Sequence, residues 1–116
     1  MAGLSTHVLD TAQGGPAAGV RIVLFELVNN ERRQICDVIT NDDGRTDDLL
    51  IDADQMRPGI FELVFHVGAY FADRDPISGA GFLDLVPVRF TIADPSQHYH
   101  VPLLVSPGSY TTYRGS

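Results

Sequence analysis

The sequence predicts an all-β fold, two four-stranded sheets packed face to face with one short helix. Two observations carry this. Short segments rich in Val, Ile, Leu, Phe and Tyr alternate apolar with polar residues, the period of a strand with one buried face. Clusters of Gly, Pro, Asn and Asp separate those segments, and this is the chemistry of tight turns. No internal repeat, low-complexity tract or linker interrupts the pattern. The 116 residues are therefore expected to form a single domain, residues 1–116.

Each element follows from its residues. Leu4 to Thr11 (LSTHVLDT) reads as the first strand, ended by the turn-forming Gln13-Gly14-Gly15-Pro16. Val20 to Val28 (VRIVLFELV) alternates around β-branched residues, and Asn29-Asn30 turns the chain into its hairpin partner, Arg33 to Thr40. Asn41-Asp42-Asp43-Gly44 is a strong turn, because Asn, Asp and Gly tolerate positive φ. Arg45 leads out of it towards a short strand, Leu49 to Asp52. Gly59 to Val67 (GIFELVFHV) alternates again. Ala69 to Asp73 has room for one or two helical turns, stopped before Pro76, and residues 75–81 read as loop. Leu85 to Ile92 (LVPVRFTI) is a strand whose Pro87 suits a sheet edge or a bulge, since proline has no N–H for a ladder. His98 to Val105 (HYHVPLLV), the turn Ser106-Pro107-Gly108 and a last strand, Tyr110 to Arg114, complete the count of eight strands.

Composition narrows the function classes. Hydrophobic residues make up 44% and charged residues 20%, which suits a globular core and opposes disorder. The net charge of −7 repels a phosphate backbone, so no nucleic acid is expected as a partner. A small anionic ligand would need a local arginine. The start, MAGLSTHVLD, has no basic region followed by an apolar run, and no stretch approaches the ~20 apolar residues of a membrane span. The ending Arg114-Gly115-Ser116 is not a peroxisomal address. A cytoplasmic protein with no membrane partner is the expectation. Cys36, the sole cysteine, cannot build an intrachain disulfide and reads as a buried, inert thiol. A domain of this size buries a modest fraction of its surface, so self-association would help it.

Strand alternation sorts the chemistry-bearing residues by face. In HYHVPLLV, Tyr99, Val101, Leu103 and Val105 share one face and read as sandwich core. His98, His100, Pro102 and Leu104 share the other, a mixture that suits a cleft or a partner interface rather than a solvated surface. In the first strand, Leu4, Thr6, Val8 and Asp10 oppose Ser5, His7 and Leu9. The last strand groups Thr111, Tyr113 and Gly115. If these three strands are neighbours, their outer faces pool His7, His100 and Tyr113.

Histidine is the side chain best matched to proton transfer near neutral pH, and arginine presents a planar fork for imide or ureide oxygens. His7, His100 and Arg45 together suit the activation of water and the stabilisation of an oxyanion. Taken singly, each has a plainer reading: His7 and the His98/His100 pair as surface or interface histidines, Arg45 as a solvated arginine after a turn. His66, on the face of Ile60, Glu62 and Val64, reads as structural, and Asp47-Asp48 as solvated loop charge. A His-x-His on a strand with a third histidine also permits a three-histidine zinc site.

LSTHVLDTAQGGPAAGV, TNDDGR and HYHVPLLVSPGSYTTYRGS resemble the signature segments of 5-hydroxyisourate hydrolases, the enzymatic branch of the transthyretin family. The resemblance runs from Leu4 to Ser116, and the terminal YRGS is its most specific piece. The carrier branch is similar in the SP-x-SY-x-T segment but lacks the histidine pattern and that ending. Two stretches depart from the family pattern: GAGFLDLVPVRF lacks a Phe-Phe-Pro element, and the loop from Asp73 to Gly81 has no counterpart.

The resemblance implies a transthyretin-like (prealbumin-like) sandwich and a homotetramer. The tetramer's channel would be lined by the first and last two strands, with active sites at its mouths built from more than one subunit. It assigns catalytic roles to His7, Arg45 and His100 and substrate binding to Tyr113, Arg114, Gly115 and Ser116; it implies no metal and no organic cofactor. The implied reaction is hydrolysis of a cyclic amide C–N bond in 5-hydroxyisourate, giving 2-oxo-4-hydroxy-4-carboxy-5-ureidoimidazoline on the way from urate to allantoin. Either His7 or His100 would serve as base, with activity falling below about pH 6. Three alternatives stand beside it: a small-ligand carrier without catalysis, a structural sandwich domain of the adhesin kind, and a zinc hydrolase.

Overall fold

The computed structural model describes residues 2–74 and 81–115. The elements in chain order are β1 (Gly3–Asp10), β2 (Gly15–Pro16), β3 (Arg21–Val28), β4 (Glu31–Ile39), a 3-10 turn (Ala53–Gln55), β5 (Gly59–His66), α1 (Val67–Arg74), β6 (Leu85–Ile92), β7 (His98–Val105) and β8 (Tyr110–Thr112). One sheet has the order β2-β1-β7-β8 and the other β4-β3-β5-β6.

Turn chemistry sets several of these boundaries. Asn29 and Asn30 both adopt positive φ, 53° and 66°, the two-residue geometry whose twist matches the flanking antiparallel strands, and they join β3 to β4 with Val28 opposite Glu31. Pro87 sits in β6, which pairs only with β5 and so leaves its other edge open. That edge position is where the missing N–H costs least. α1 begins at Val67, two residues before the expected turn, because Val67, Tyr70 and Phe71 bury one helical face against the core.

Two sequence expectations need correction. Leu49 to Asp52 makes only an isolated bridge, Leu4 to Ile51, and is not a strand of either sheet. The fourth strand of the β1 sheet is instead β2, from the stretch expected to be turn: Leu9 pairs with Pro16 and Asp10 with Gly15. Asp10 explains the tight reversal, since its buried Oδ1 accepts from the backbone N–H groups of Ala12 and Gln13 and its Oδ2 from the Tyr70 hydroxyl. The loop expected at 75–81 lies, from 75 to 80, outside the described residues.

The core forms where the inner faces meet. Leu4, Val8, Tyr99, Val101, Leu103 and Val105 from one sheet oppose Ile22, Leu24, Phe61, Leu63, Phe65 and Val86 from the other, all buried. Full burial of a Leu or Phe side chain contributes about 1.5–3 kcal/mol, so this layer is the main stabilising term. Cys36 is half-buried behind it, and burial raises its thiol pKa. No helix among the described residues is long and apolar enough to cross a membrane.

Candidate active site

The site begins with a strand pairing between the two ends of the chain. β1 and β7 run parallel in register, Gly3 opposite His98, Ser5 opposite His100 and His7 opposite Pro102. Because Leu4, Thr6 and Val8 turn into the core, Ser5, His7 and Leu9 must face outward beside His98, His100, Pro102 and Leu104. A buried Thr6 hydroxyl donates to the Val101 carbonyl at 2.7 Å and clamps the pair. On the outer face Ser5 Oγ lies 2.9 Å from His98 Nε2 and 2.8 Å from His100 Nδ1, so one hydroxyl touches both imidazoles.

The Asn41–Arg45 turn docks on this strand. Asn41 Oδ1 accepts from the N–H groups of Asp43 and Arg45, and Gly44 N–H donates to the Asn41 carbonyl at 2.9 Å. Val8 N–H then donates to the Gly44 carbonyl at 2.8 Å. Gly44 has φ +74°, and a Cβ there would collide with the Val8 carbonyl oxygen and press on the Ala17 backbone nitrogen at 3.2 Å. Only glycine lets the turn lie so close to β1. The docked turn brings its Asp43 carbonyl to His7 Nε2 at 2.8 Å. A carbonyl only accepts, so His7 Nε2 carries the proton and its Nδ1 is left with the lone pair in the neutral ring.

Arg45 leaves the turn on the exposed side and, with Ser5, Thr6, Thr46, Asp47, Asp48 and Leu49, lines a cleft of about 200 Å³. Among the described residues it is the one arginine whose guanidinium makes no hydrogen bond or ion pair with another described residue. Arg21 pairs with Asp37, Arg32 and Arg89 with Glu62, and Arg33 and Arg57 with Glu26; Arg74 and Arg114 reach carbonyl oxygens. His100 is half-buried next to this cation. Burial first, then the charges of Arg45, His7 and His98, hold its pKa below the ordinary imidazole value. A ring so placed stays neutral at physiological pH, the form a general base needs.

The chain end divides between two places. Gly115 N–H donates to the His100 carbonyl at 2.7 Å, and a Cβ on Gly115 would stand 2.9 Å from His100 Cδ2, so the glycine packs flat on the ring. Arg114 lies over the Tyr99 ring at 4.1 Å and donates to Gln97 Oε1 and the His98 carbonyl. β8 stops at Thr112, so strand alternation does not carry Tyr113 to the imidazole face. Tyr113 is exposed and lines a groove with Phe90, Tyr99 and Arg114 at the edge between the sheets. Ser116 lies outside the described residues. The structure thus gathers His7, Arg45, His100 and Gly115, and sets Tyr113 and Arg114 on the Tyr99 side within one chain. Sequence reasoning missed Ser5, although its place on the face of His7 was readable from alternation. Among the described residues no three His, Cys, Asp or Glu side chains are grouped to hold a metal.

The HIUase/Transthyretin family model matches residues 4–115. The chain belongs to the HIUase/Transthyretin family. Within this family it is 51% identical over 114 residues to a 5-hydroxyisourate hydrolase of Deinococcus radiodurans, an alignment that covers 98% of this chain and 96% of the relative. Its fold superposes on the Klebsiella pneumoniae 5-hydroxyisourate hydrolase with TM-score 0.82 at 33% identity, covering all of both chains. It superposes on transthyretin from Sparus aurata with TM-score 0.88 at 26% identity, covering 99% of this chain and 97% of the other. A hydrolase and a transthyretin therefore share this sandwich, so the fold alone does not tell what it does.

Proposed function

We propose that this protein is a 5-hydroxyisourate hydrolase, a single-domain cytoplasmic enzyme of urate degradation. The observation that carries the reading is Ser5: it touches His100 on one side and shares a cleft with Arg45 on the other, while His7 is pinned to the turn that presents Arg45. Relatives that bear the hydrolase name at about half identity over nearly full length support the substrate.

In this mechanism His100 takes a proton from water through Nε2. The hydroxide attacks the ring carbonyl of the substrate, and Arg45 offsets the charge that collects on the oxygen. The C–N bond then breaks, and the imidazolium of His100 returns the proton to the departing nitrogen. His7 and Gly115 shape the site beside it. Tyr113, Arg114 and Ser116 act as substrate-binding groups in an assembled homotetramer, where the outer face of β1, β7 and β8 meets another copy. The half-buried Leu9 and Leu104 on that face suit such a contact.

The test is a uricase reaction followed by loss of 5-hydroxyisourate ultraviolet absorbance when the protein is added. Wild type is expected to accelerate it. His100→Ala is expected to lose about 10²–10⁴-fold in turnover, the usual worth of a general base. Arg45→Ala is expected to lose roughly 10²–10³-fold, the cost of one donor to an oxyanion. Near-normal turnover in either variant, with the fold intact by circular dichroism, contradicts the assignment. Light scattering tests the tetramer, and a monomer removes it.

A further inference from the structure

We propose that Ser5 is a positioning residue that joins His98 and His100 into one hydrogen-bonded unit, accepting from one ring and donating to the other, and holds both in the Nδ1–H tautomer, so that His100 presents its Nε2 lone pair to the substrate. This rests on the reading of His100 as the base and deepens it, because it gives His98 a role and names a residue with none so far.

The geometry follows from counting protons. Ser5 Oγ carries one hydrogen and meets two ring nitrogens, His98 Nε2 at 2.9 Å and His100 Nδ1 at 2.8 Å. If Ser5 donates to one ring, the other must donate to Ser5. Two arrangements use both contacts. In the first, Ser5 donates to His98 Nε2 and His100 Nδ1–H donates to Ser5; His100 Nε2 then holds a lone pair. In the second, the directions reverse and His100 Nε2 carries a hydrogen, useless for taking a proton from water.

The surroundings of His100 select the first arrangement. Its Nδ1 faces Ser5 and its Cδ2 lies under Gly115, leaving the Cε1–Nε2 edge uncovered by either. The charged and titratable groups around it are Arg45 and His7, from the turn and β1, and His98 on its own strand, with Asp47 and Asp48 lining the cleft beyond Ser5. A guanidinium nearby attracts a lone pair and repels an N–H. When His100 accepts the proton of water, its Nδ1–H bond to Ser5 is kept, and the Ser5 hydroxyl goes on donating to His98 Nε2. No proton has to be rearranged before the nucleophile forms. Such a preset polar network costs no reorganisation at the moment of reaction.

Ring ¹⁵N shifts of histidine-labelled protein at pH 8 test this, with His98 and His100 signals assigned from His98→Gln and His100→Gln. Wild type is expected to have Nδ1–H on His100 and a bare Nε2 on His98. Ser5→Ala is expected to release His100 towards the Nε2–H form that free imidazole prefers. It should lower kcat about tenfold to hundredfold with KM little changed, and Ser5→Thr, which keeps the hydroxyl, should restore both. Nε2–H on both rings of wild type, or no tautomer change in Ser5→Ala, overturns the proposal. If the tautomers are as described but 5-hydroxyisourate is not turned over, the Ser5 link stands and the substrate assignment falls. If 5-hydroxyisourate is turned over with the opposite tautomers, the Ser5 link falls and the substrate assignment stands.

Discussion

Replacing Gly44 with alanine should damage both fold and site, and the cost can be built from the coordinates. Gly44 has φ +74°, where an L-residue with a Cβ is strained by roughly 1–2 kcal/mol. The new Cβ would also collide with the Val8 carbonyl oxygen, well inside contact distance. Val8 cannot yield. It is fully buried, and its carbonyl accepts from Ala17 N–H at 2.9 Å. The turn must therefore lift, and Val8 N–H then loses the Gly44 carbonyl. An unsatisfied buried N–H adds about 1–3 kcal/mol. The sum, about 2–5 kcal/mol, is a large part of the roughly 5–15 kcal/mol a domain has to lose. At about 4 °C per kcal/mol, thermal unfolding should drop by about 8–20 °C. Turnover measured well below the melting point should also fall at least tenfold, because the lifted turn takes Arg45 and the Asp43 carbonyl away from β1 (a fold-change of about 1.4 kcal/mol). Gly44→Asn separates the two causes. Asparagine tolerates positive φ but carries the same Cβ, so it should be nearly as damaging. A Gly44→Ala protein that melts within about 2 °C of wild type and turns over normally would refute the reasoning.

Further outcomes are expected at His100, Arg45 and Tyr70. The depressed pKa of His100 places the acid limb of the kcat profile below that of an unperturbed imidazole, so activity should persist to lower pH than a free imidazole base would allow. The same shift makes the unfolded chain the stronger proton binder. Its contribution to stability is complete above the ordinary imidazole pKa and is lost as pH falls towards the folded value. Arg45→Ala should raise the acid limb, and an unchanged limb would argue that Arg45 does not face His100. Tyr70→Phe removes the donor to Asp10 Oδ2 and should cost about 1.5–3 kcal/mol in urea unfolding, the usual worth of a hydrogen bond to a charged group. Unchanged stability would mean that Asp10 is held by its backbone contacts alone.

Much of the fold was legible because side-chain alternation is a local property. HYHVPLLV sorted Tyr99, Val101, Leu103 and Val105 into the core without any knowledge of neighbours, and Asn29-Asn30 announced a hairpin by their tolerance of positive φ. The failures were also local in origin. Leu49 to Asp52 carries strand-like residues but finds only one bridge, and Gly15-Pro16 carries turn residues but is drawn into pairing by the Asp10 reversal. Neither outcome is visible until the neighbouring strand is in place. Alternation likewise assumed that β8 continues through Tyr113, whereas the strand ends at Thr112 and Arg114 settles on Tyr99.

By itself the sequence determined which residues turn outward on each long strand and which turn the chain, because rotation along a strand and backbone sterics depend on adjacent residues alone. His7, His100 and Arg45 were recognisable in that way and by family resemblance. Only the tertiary structure decided that β1 lies parallel to β7, so that Ser5 meets an imidazole 95 residues away, and that Gly44 docks on Val8 to carry Arg45 there. Strand adjacency is set by burial of the whole inner face, a sum over distant residues that no local pattern contains.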